Sequence, residues 1–247
     1  MTDFLPTFPP LLSGHVADAG ENPFDSAANQ AEAGQLGAGD LLWSEDRKRL
    51  RFAVVLEPDV PRDRCGEMVY VAMVAFGDAA GALIPPEVAI TYQWPNVIEM
   101  NEGQIGAVEL IISDEENAGI PEWMVLGIEI QLSPELSDMN PGDNYHHTTF
   151  WDEGCGEITR TQLLESTSRH LVNVIHTWSE EGFKPIHEQW SGRQSKANPL
   201  VRDAQLSGLK FVGIDEIGNG LLSNGNQTNS HAVIDMMTHL TSPPVGA

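Results

Sequence analysis

Cys155 is the first group to weigh for chemistry, because Gly154 and Gly156 on either side would leave its thiol accessible in a polar loop. A thiolate attacks acyl carbonyls, but it forms near neutral pH only beside a basic group, and the sequence around Cys155 supplies none. Cys65, the other cysteine, shares no metal-ligand spacing with it, so both are expected as buried small hydrophobes rather than a disulfide. His146-His147, with Asp143 and Asp152 nearby, reads as a surface loop, since adjacent side chains diverge and cannot share a metal. His170 and His176 are six apart and share no helix face, and His187 follows later. Glu115-Glu116 and Glu180-Glu181 read as solvated acid pairs, and no Gly-x-Ser-x-Gly elbow exposes a serine nucleophile.

Charge narrows the partners. Thirty-six acids against thirteen bases give a formal net charge of -23, a field that repels phosphate backbones. Nucleic acid is therefore excluded as a partner, and ATP is opposed unless a local basic cluster overrides the field. Bases cluster once, in Asp46-Arg47-Lys48-Arg49-Leu50-Arg51, which we read as a solvated turn leading into a strand. No apolar run is long enough to span a bilayer, and MTDFLPTFPPLLSG lacks the basic start and apolar core of a secretory signal. The expectation is a cytoplasmic chain without a membrane partner.

The elements that would position these residues follow from periodicity. Residues 1–22 read as a surface loop segment, and Phe24–Ala33 as a short helix with Asp25 or Ser26 as N-cap. Arg51–Leu56 is apolar enough for a central strand. Met68, Val71, Ala72, Ala75, Phe76 and Ala79 recur at helical spacing between Glu67 and Leu83. Val88–Trp94, Ile98–Met100, Gln104–Ser113 and Trp123–Leu132 read as four strands, with Asn101-Glu102-Gly103 as a turn. Residues 133–157 are polar and irregular. Thr159 caps a second long helix to Glu181, whose stripe is Leu163, Leu164, Leu171, Val174, Ile175 and Trp178, and Gly182 closes it. Residues 191–206 read as a linker, and Leu209–Ile214, Gly220–Ser223 and Ser230–Ile234 as strands of a small appendage. Trp43, Trp123 and Trp178 sit in apolar contexts and read as core.

Gln93-Trp94-Pro95-Asn96, then Val97-Ile98-Glu99-Met100, a turn, and Gly103-Gln104-Ile105-Gly106-Ala107-Val108 resemble the biotin/lipoate protein ligase family. Its members carry a Lys-Trp-Pro-Asn-Asp element, a short strand, a turn and a Lys-Leu-Ala-Gly-Ile element at this spacing. Gly34-Gln35-Leu36 through Gly39-Asp40 resembles the entry to the family's first core strand. Leu126-Gly127-Ile128-Glu129-Ile130 resembles its Gly-Ile-Asn strand. Glu180-Glu181-Gly182-Phe183 with Pro185 and Trp190 resembles the end of its catalytic domain. Phe211-Val212-Gly213-Ile214-Asp215 and Gly220-Leu221-Leu222 resemble its SH3-like appendage. The resemblance runs from residue 23 to 240. It implies an α+β fold, a mixed sheet backed by helices, over residues 23–192, with linker and small SH3-like β domain over 193–247. It further implies biotin or lipoate beside ATP, an acyl-adenylate, a biotinyl or lipoyl carrier domain as partner, and an oligomer as an option. Ligand-binding positions carried over are Gln93, Trp94, Asn96, Gln104, Gly106, Ala107, Gly127, Ser26 and Asn29.

The departures fall on the family's cations. Gln93 and Gln104 stand in the places of its two lysines, and Val97 in that of the Asp after Asn. Between Ser44 and Phe52, where a glycine- and arginine-rich loop is expected, there is only Glu45-Asp46-Arg47-Lys48-Arg49-Leu50-Arg51. The Asp-Ser-Thr-Asn element survives as Asp25-Ser26-Ala27-Ala28-Asn29 with altered spacing. Gln donates hydrogen bonds without charge, and losing one electrostatic contact of this kind costs about 2.7–4 kcal/mol of transition-state stabilisation. No catalytic residue is assigned. Three functions remain open: a weakened ligase, a non-catalytic binder of an acyl group, nucleotide or carrier domain, and an ATP-independent acyltransferase using Cys155. Arg47, Lys48, Arg49 and Arg51 folding back to supply charge is the alternative to a solvated turn.

Overall fold

The computed structural model describes residues 5–114, 116–134, 147–196 and 209–237. In chain order the elements are β1 (Ser13–Val16), α1 (Pro23–Glu32), β2 (Asp40–Trp43), β3 (Arg49–Leu56), α2 (Arg62–Cys65) and α3 (Glu67–Gly81). Then come β4 (Ile90–Gln93), β5 (Val97–Met100), β6 (Gly103–Ile112), the short pair β7 (Glu116–Asn117) and β8 (Ile120–Pro121), and β9 (Met124–Gln131). The chain continues through α4 (Arg160–Glu181), α5 (Lys184–Gly192), β10 (Lys210–Ile214), β11 (Gly220–Ser223), β12 (Thr228–His231) and α6 (Val233–Met236).

Seven strands form one sheet in the order β1-β2-β3-β9-β6-β5-β4, with β1 and β2 parallel and every other neighbour antiparallel. This is the expected mixed sheet. Strand alternation sends Leu50, Phe52 and Val54 of β3, and Leu126, Ile128 and Ile130 of β9, to one face. There α3 and α4 cover them. Nearly all of α3 is apolar, and it is buried all round, as a helix caught between a sheet and a second helix layer must be. Its one buried charge, Glu67, takes a forked hydrogen bond from Arg64 at 2.8 and 2.9 Å and a bond from the Trp178 indole at 2.5 Å. Thr159 caps α4 in a reciprocal capping box with Gln162, and Gly182 ends it at φ +77°.

On the opposite face of the sheet α1 packs its Phe24, Ala27, Ala28 and Ala31 on Leu42, Ala53, Val55 and Val125, and at the other end Val97, Glu99, Gln104 and Ala107 are buried as well. The cap of α1 is Asn22, whose side chain accepts from the Phe24 amide at 3.0 Å, not Asp25 or Ser26 as expected. Pro23 at the first helical position fixes φ and sets the start two to three residues earlier. Residues 13–16 correct the reading of 1–22 as loop: four exposed residues pair with β2 at the sheet edge. Lys184–Gly192 is a helix that periodicity alone did not announce, and the strand expected over Ser230–Ile234 stops at His231. Of the expected linker, residues 197–206 lie outside the described residues, whereas Arg193–Ser195 runs along β4, with Tyr92 N–H donating to Arg193 at 2.9 Å and Ser195 N–H to Tyr92 at 2.8 Å. No described helix is long and apolar enough to cross a membrane.

The small sheet β10-β11-β12 docks through Trp94. The Trp94 ring stacks on Phe211 with centroids 5.4 Å apart, and a Cβ on Gly220 would lie 2.3 Å from it, so only glycine lets β11 approach. The Trp94 indole donates to Tyr70 Oη at 3.0 Å, and Tyr70 Oη donates to the Gly218 carbonyl. Burial raises the Tyr70 pKa, so the hydroxyl keeps its proton. Tyr70→Phe therefore strands both a buried N–H and a buried carbonyl. It is expected to destabilise the protein by about 2–3 kcal/mol, against about 1 kcal/mol for Thr159→Ala at the exposed cap. Urea melts of the two variants decide this; equal midpoints would remove the Tyr70 relay as a docking contact.

Candidate functional site: the polar face of the sheet

Residues paired across an antiparallel ladder share a face. The registers Gln93↔Val97, Val97↔Ala107, Ala107↔Glu129 and Glu129↔Arg51 thus lay one row across five strands on the side away from α3. A second row is Thr91, Glu99 and Gln104, and a third is Glu109, Gly127, Ala53 and Leu42 beneath α1. Gln93 and Gln104 accordingly stand on the same face two strands apart, roughly 10 Å across the ladder. Glu99, Gln104 and Glu109 are 5%, 7% and 9% exposed, a dense set of polar groups for the inside of a sheet protein.

The cations of this face come from β3. Arg51 Nη2 donates to Glu129 Oε1 at 2.9 Å, its Nε lies 2.9 Å from Oε2 without the alignment of a hydrogen bond, and Arg49 Nη1 lies 3.4 Å from the same carboxylate. Gln131 adds a bond to Glu129 Oε1 at 3.4 Å. Arg49 and Arg51 are therefore not part of a solvated turn, which corrects our expectation for them. Arg-Leu-Arg-Phe is strand alternation, with both guanidiniums on the polar face and Leu50 and Phe52 in the core. Two positive charges are thus present on this face, and they share the one Glu129 carboxylate.

Two cavities meet at Arg51. An inner one of about 10 Å³ lies between Asn22, Phe24, Arg51, Phe52, Glu109, Ile128 and Glu129, and has room for one water. Phe24 closes it: a Cβ on Gly127 would sit 2.7 Å from that ring. An outer cavity of about 270 Å³ is bounded by Ala17 to Glu21, Ser44 to Asp46 and Arg51. Its rim carries Asp18, Glu21, Glu45 and Asp46 against the Arg51 guanidinium, which shares Glu129 with Arg49.

The carried-over residues separate on this geometry. Gln93, Gln104 and Ala107 belong to the face away from α3, where Gln104 and Ala107 are buried, and Gly127 lies on the same face beneath Phe24 of α1. Trp94 lies under the small sheet, and Asn96 spends its amide on the Val108 carbonyl at 2.7 Å while Val108 N–H returns to the Asn96 carbonyl at 2.9 Å. Gly106 allows backbone contact, since a Cβ there would meet the Glu129 carbonyl at 2.0 Å. Ser26 bonds Gln30 within α1, and Asn29 is exposed on the outer side of that helix, away from the sheet. Glu109 and Glu129 were missed as site residues, an acid set inside an apolar strand being the available signal, whereas Arg51 entered the sequence reading as one of four cations folding back to supply charge, the alternative to a solvated turn. Cys155 is 2% exposed, and burial, then Glu153 and Glu87, push its thiol pKa up, so the loop does not present a nucleophile. His147 is exposed beside Gln104, while Asp143 and His146 lie outside the described residues.

A model of the biotin/lipoate A/B protein ligase family matches residues 8–192. The biotin–[acetyl-CoA-carboxylase] ligase of Paracoccus denitrificans is 23% identical over 181 residues, 71% of this chain and 74% of that protein. The bifunctional ligase/repressor BirA of Bacillus spizizenii is 24% identical over 79% of this chain, which spans 60% of BirA's length. A biotin protein ligase-like protein of unknown function from Silicibacter sp. TM1040 shares 33% identity at TM-score 0.84, covering 95% of this chain and 100% of the other. Biotin protein ligase from Aquifex aeolicus, at 16% identity, shares the fold with TM-score 0.68 over 90% of this chain and 94% of its own.

Glu109 offers a direct test of the site's electrostatics. Burial, then the charges of Glu129 and Asp25, raise its pKa from 4.5 to about 7, while Arg51 pulls it down. A raised acid penalises folding once the unfolded carboxyl ionises, so stability falls from about pH 4.5 upward and the full loss is reached above about pH 7. Glu109→Gln should therefore stabilise the protein by about 2–3 kcal/mol at pH 8 and leave it nearly unchanged at pH 4. Denaturant melts at both pH values measure this, and a gain independent of pH would contradict it.

Proposed function

Because the chain belongs to the biotin/lipoate A/B protein ligase family, we propose that it binds a small acyl ligand on the polar face of its sheet, away from α3, and does not carry out ATP-dependent ligation. One observation carries this reading: the two guanidiniums on the site face are engaged by Glu129, while Gln93 and Gln104 stand neutral where the family resemblance would place lysines. Acyl-adenylate formation concentrates negative charge on phosphates and on the attacking carboxylate, and preorganised cations are its main source of stabilisation. A carboxylate-bound arginine would first have to surrender its partner, and the acidic rim opposes the nucleotide throughout. A carrier domain remains the natural macromolecular partner for such a binder, by analogy with relatives whose names record ligation to acetyl-CoA carboxylase.

Four of the site's own residues suit binding without chemistry. Ala107 and Val97 give an apolar floor, and Gln93 and Gln104 at its far end offer neutral donors and acceptors. The buried, carboxylate-flanked Cys155 does not favour an acyl-enzyme route.

The purified protein is expected to show no biotin- or lipoate-dependent ATP–pyrophosphate exchange, and a thermal shift with octanoate, biotin or lipoate but none with ATP alone. Robust exchange would refute the reading. Native Cys155 should resist iodoacetamide until the protein unfolds.

A further inference from the structure

Between β11 and β12 the chain turns through Asn224-Gly225-Asn226-Gln227, all four exposed. The Asn224 side chain folds over this turn, and its Oδ1 accepts the Asn226 and Gln227 N–H groups, each at 2.9 Å. Asn224 N–H donates to the Gln227 carbonyl at 3.1 Å, and Gly225 N–H to Ser223 Oγ at 3.2 Å. Gly225 sits at φ +90°, with nothing within 4 Å of the place a Cβ would take. An asparagine carbonyl is thus fixed next to an unshielded backbone nitrogen. We propose that Asn224-Gly225 is a built-in deamidation site, where the Gly225 nitrogen converts the Asn224 amide into an aspartyl or isoaspartyl residue.

The Gly225 nitrogen gives its proton to solvent hydroxide and attacks Asn224 Cγ, so that an N–Cγ bond closes a five-membered ring. The Cγ–Nδ2 bond breaks, and Nδ2 leaves as ammonia after taking a proton from water. Water then opens the succinimide at either carbonyl. One opening restores the backbone with an aspartyl side chain, and the other routes the backbone through Cβ and Cγ. Nothing is oxidised, and water is the only co-reactant. Negative charge develops on Oδ1 in the first step, where two N–H groups are already aimed. Glycine leaves its nitrogen open to an approach that a β-carbon would obstruct.

The same dipeptide recurs in the small sheet and is held differently. Asp215 accepts the Asn219 N–H at 2.9 Å and its Nδ2 at 3.2 Å, so the leaving amide is tied to a carboxylate. Gly220 is buried under the Trp94 ring and paired with Ile214 and His231. Its nitrogen cannot turn onto the Asn219 side chain without leaving the ladder. Reaction at Asn224 instead reaches only the hairpin end. It adds one negative charge there, and the isoaspartyl form lengthens the backbone beside the Ser223↔Thr228 pair.

The full chain is incubated at pH 6 and pH 8, folded or in urea. Each asparagine is then followed by peptide mass spectrometry together with an isoaspartyl methyltransferase assay. In the folded chain Asn224 is expected to react at least about tenfold faster than Asn219, a barrier difference of about 1.4 kcal/mol. Both should react faster at pH 8, and in urea their rates should converge, because each is then an asparagine before glycine in an open chain. Asn224→Ser keeps an oxygen acceptor in the turn but offers no carbonyl carbon, so isoaspartate should vanish from this peptide. Circular dichroism reports whether that variant is folded, and the comparison of Asn224 with Asn219 needs no variant. The proposal fails if Asn224 keeps its amide in the folded chain, if Asn219 reacts as fast there, or if isoaspartate persists at the turn of folded Asn224→Ser.

Discussion

The pairing of β9 with β3 on one side and β6 on the other is the constraint on which the polar face depends. β9 is bonded to both neighbours along nearly its whole length, so its register cannot slip without turning every side chain to the wrong face. That register brings Arg51 from one half of the sheet and Ala107 from the other onto Glu129. The ion pair is a product of ladder geometry, and its geometry is as fixed as the sheet itself. An acid and two arginines enclosed this way cost desolvation, and the pairing offsets that cost only while all partners stay in place. The Glu109 carboxyl beside it is raised first by burial and then by the charges of Glu129 and Asp25.

A second consequence of the topology is that the short connection between β4 and β5 serves two layers at once. Gln93 points to the polar face, Trp94 turns to the small sheet, and Asn96 is tied by two hydrogen bonds to Val108 of β6. The tetrapeptide is therefore a joint between the main sheet and the C-terminal appendage. Its tryptophan contributes burial and a relay to Tyr70, and only its first residue shares the polar row.

Much of this architecture was legible in the sequence where periodicity was long. α3 and α4 announce themselves through apolar stripes, and Thr159 and Gly182 mark the ends of α4 by capping chemistry that is local. The four strands from 88 to 132 follow from apolar runs and one turn. What escaped has a different physical origin. β1 is four exposed residues whose only reason to extend is the neighbour it pairs with. Arg49 and Arg51 were hidden inside a run of charge, where composition suggests water and only strand parity reveals a wall. The positions of Trp94, Ser26 and Asn29 depend on contacts between distant segments, which spacing along the chain does not encode. The lysine-to-glutamine replacements were visible at once, but the arginines that stand on the same face, and the glutamate that occupies them, needed the register of three strands.

The two margins of the seven-stranded sheet are finished differently. Along β4, backbone bonds from Arg193 to Ser195 close the ladder, and Asp78 at 2.6 Å and Tyr92 at 3.1 Å hold the Arg193 side chain. Along β1, no described segment hydrogen-bonds beyond Ser13–Val16, where the side chains are solvent-facing and His15 pairs back onto Asp40 of β2. Growth of the sheet by one more ribbon, from whatever polypeptide, thus has a single available direction, and it starts on the side of the molecule nearest the acidic cavity rather than the glutamine end.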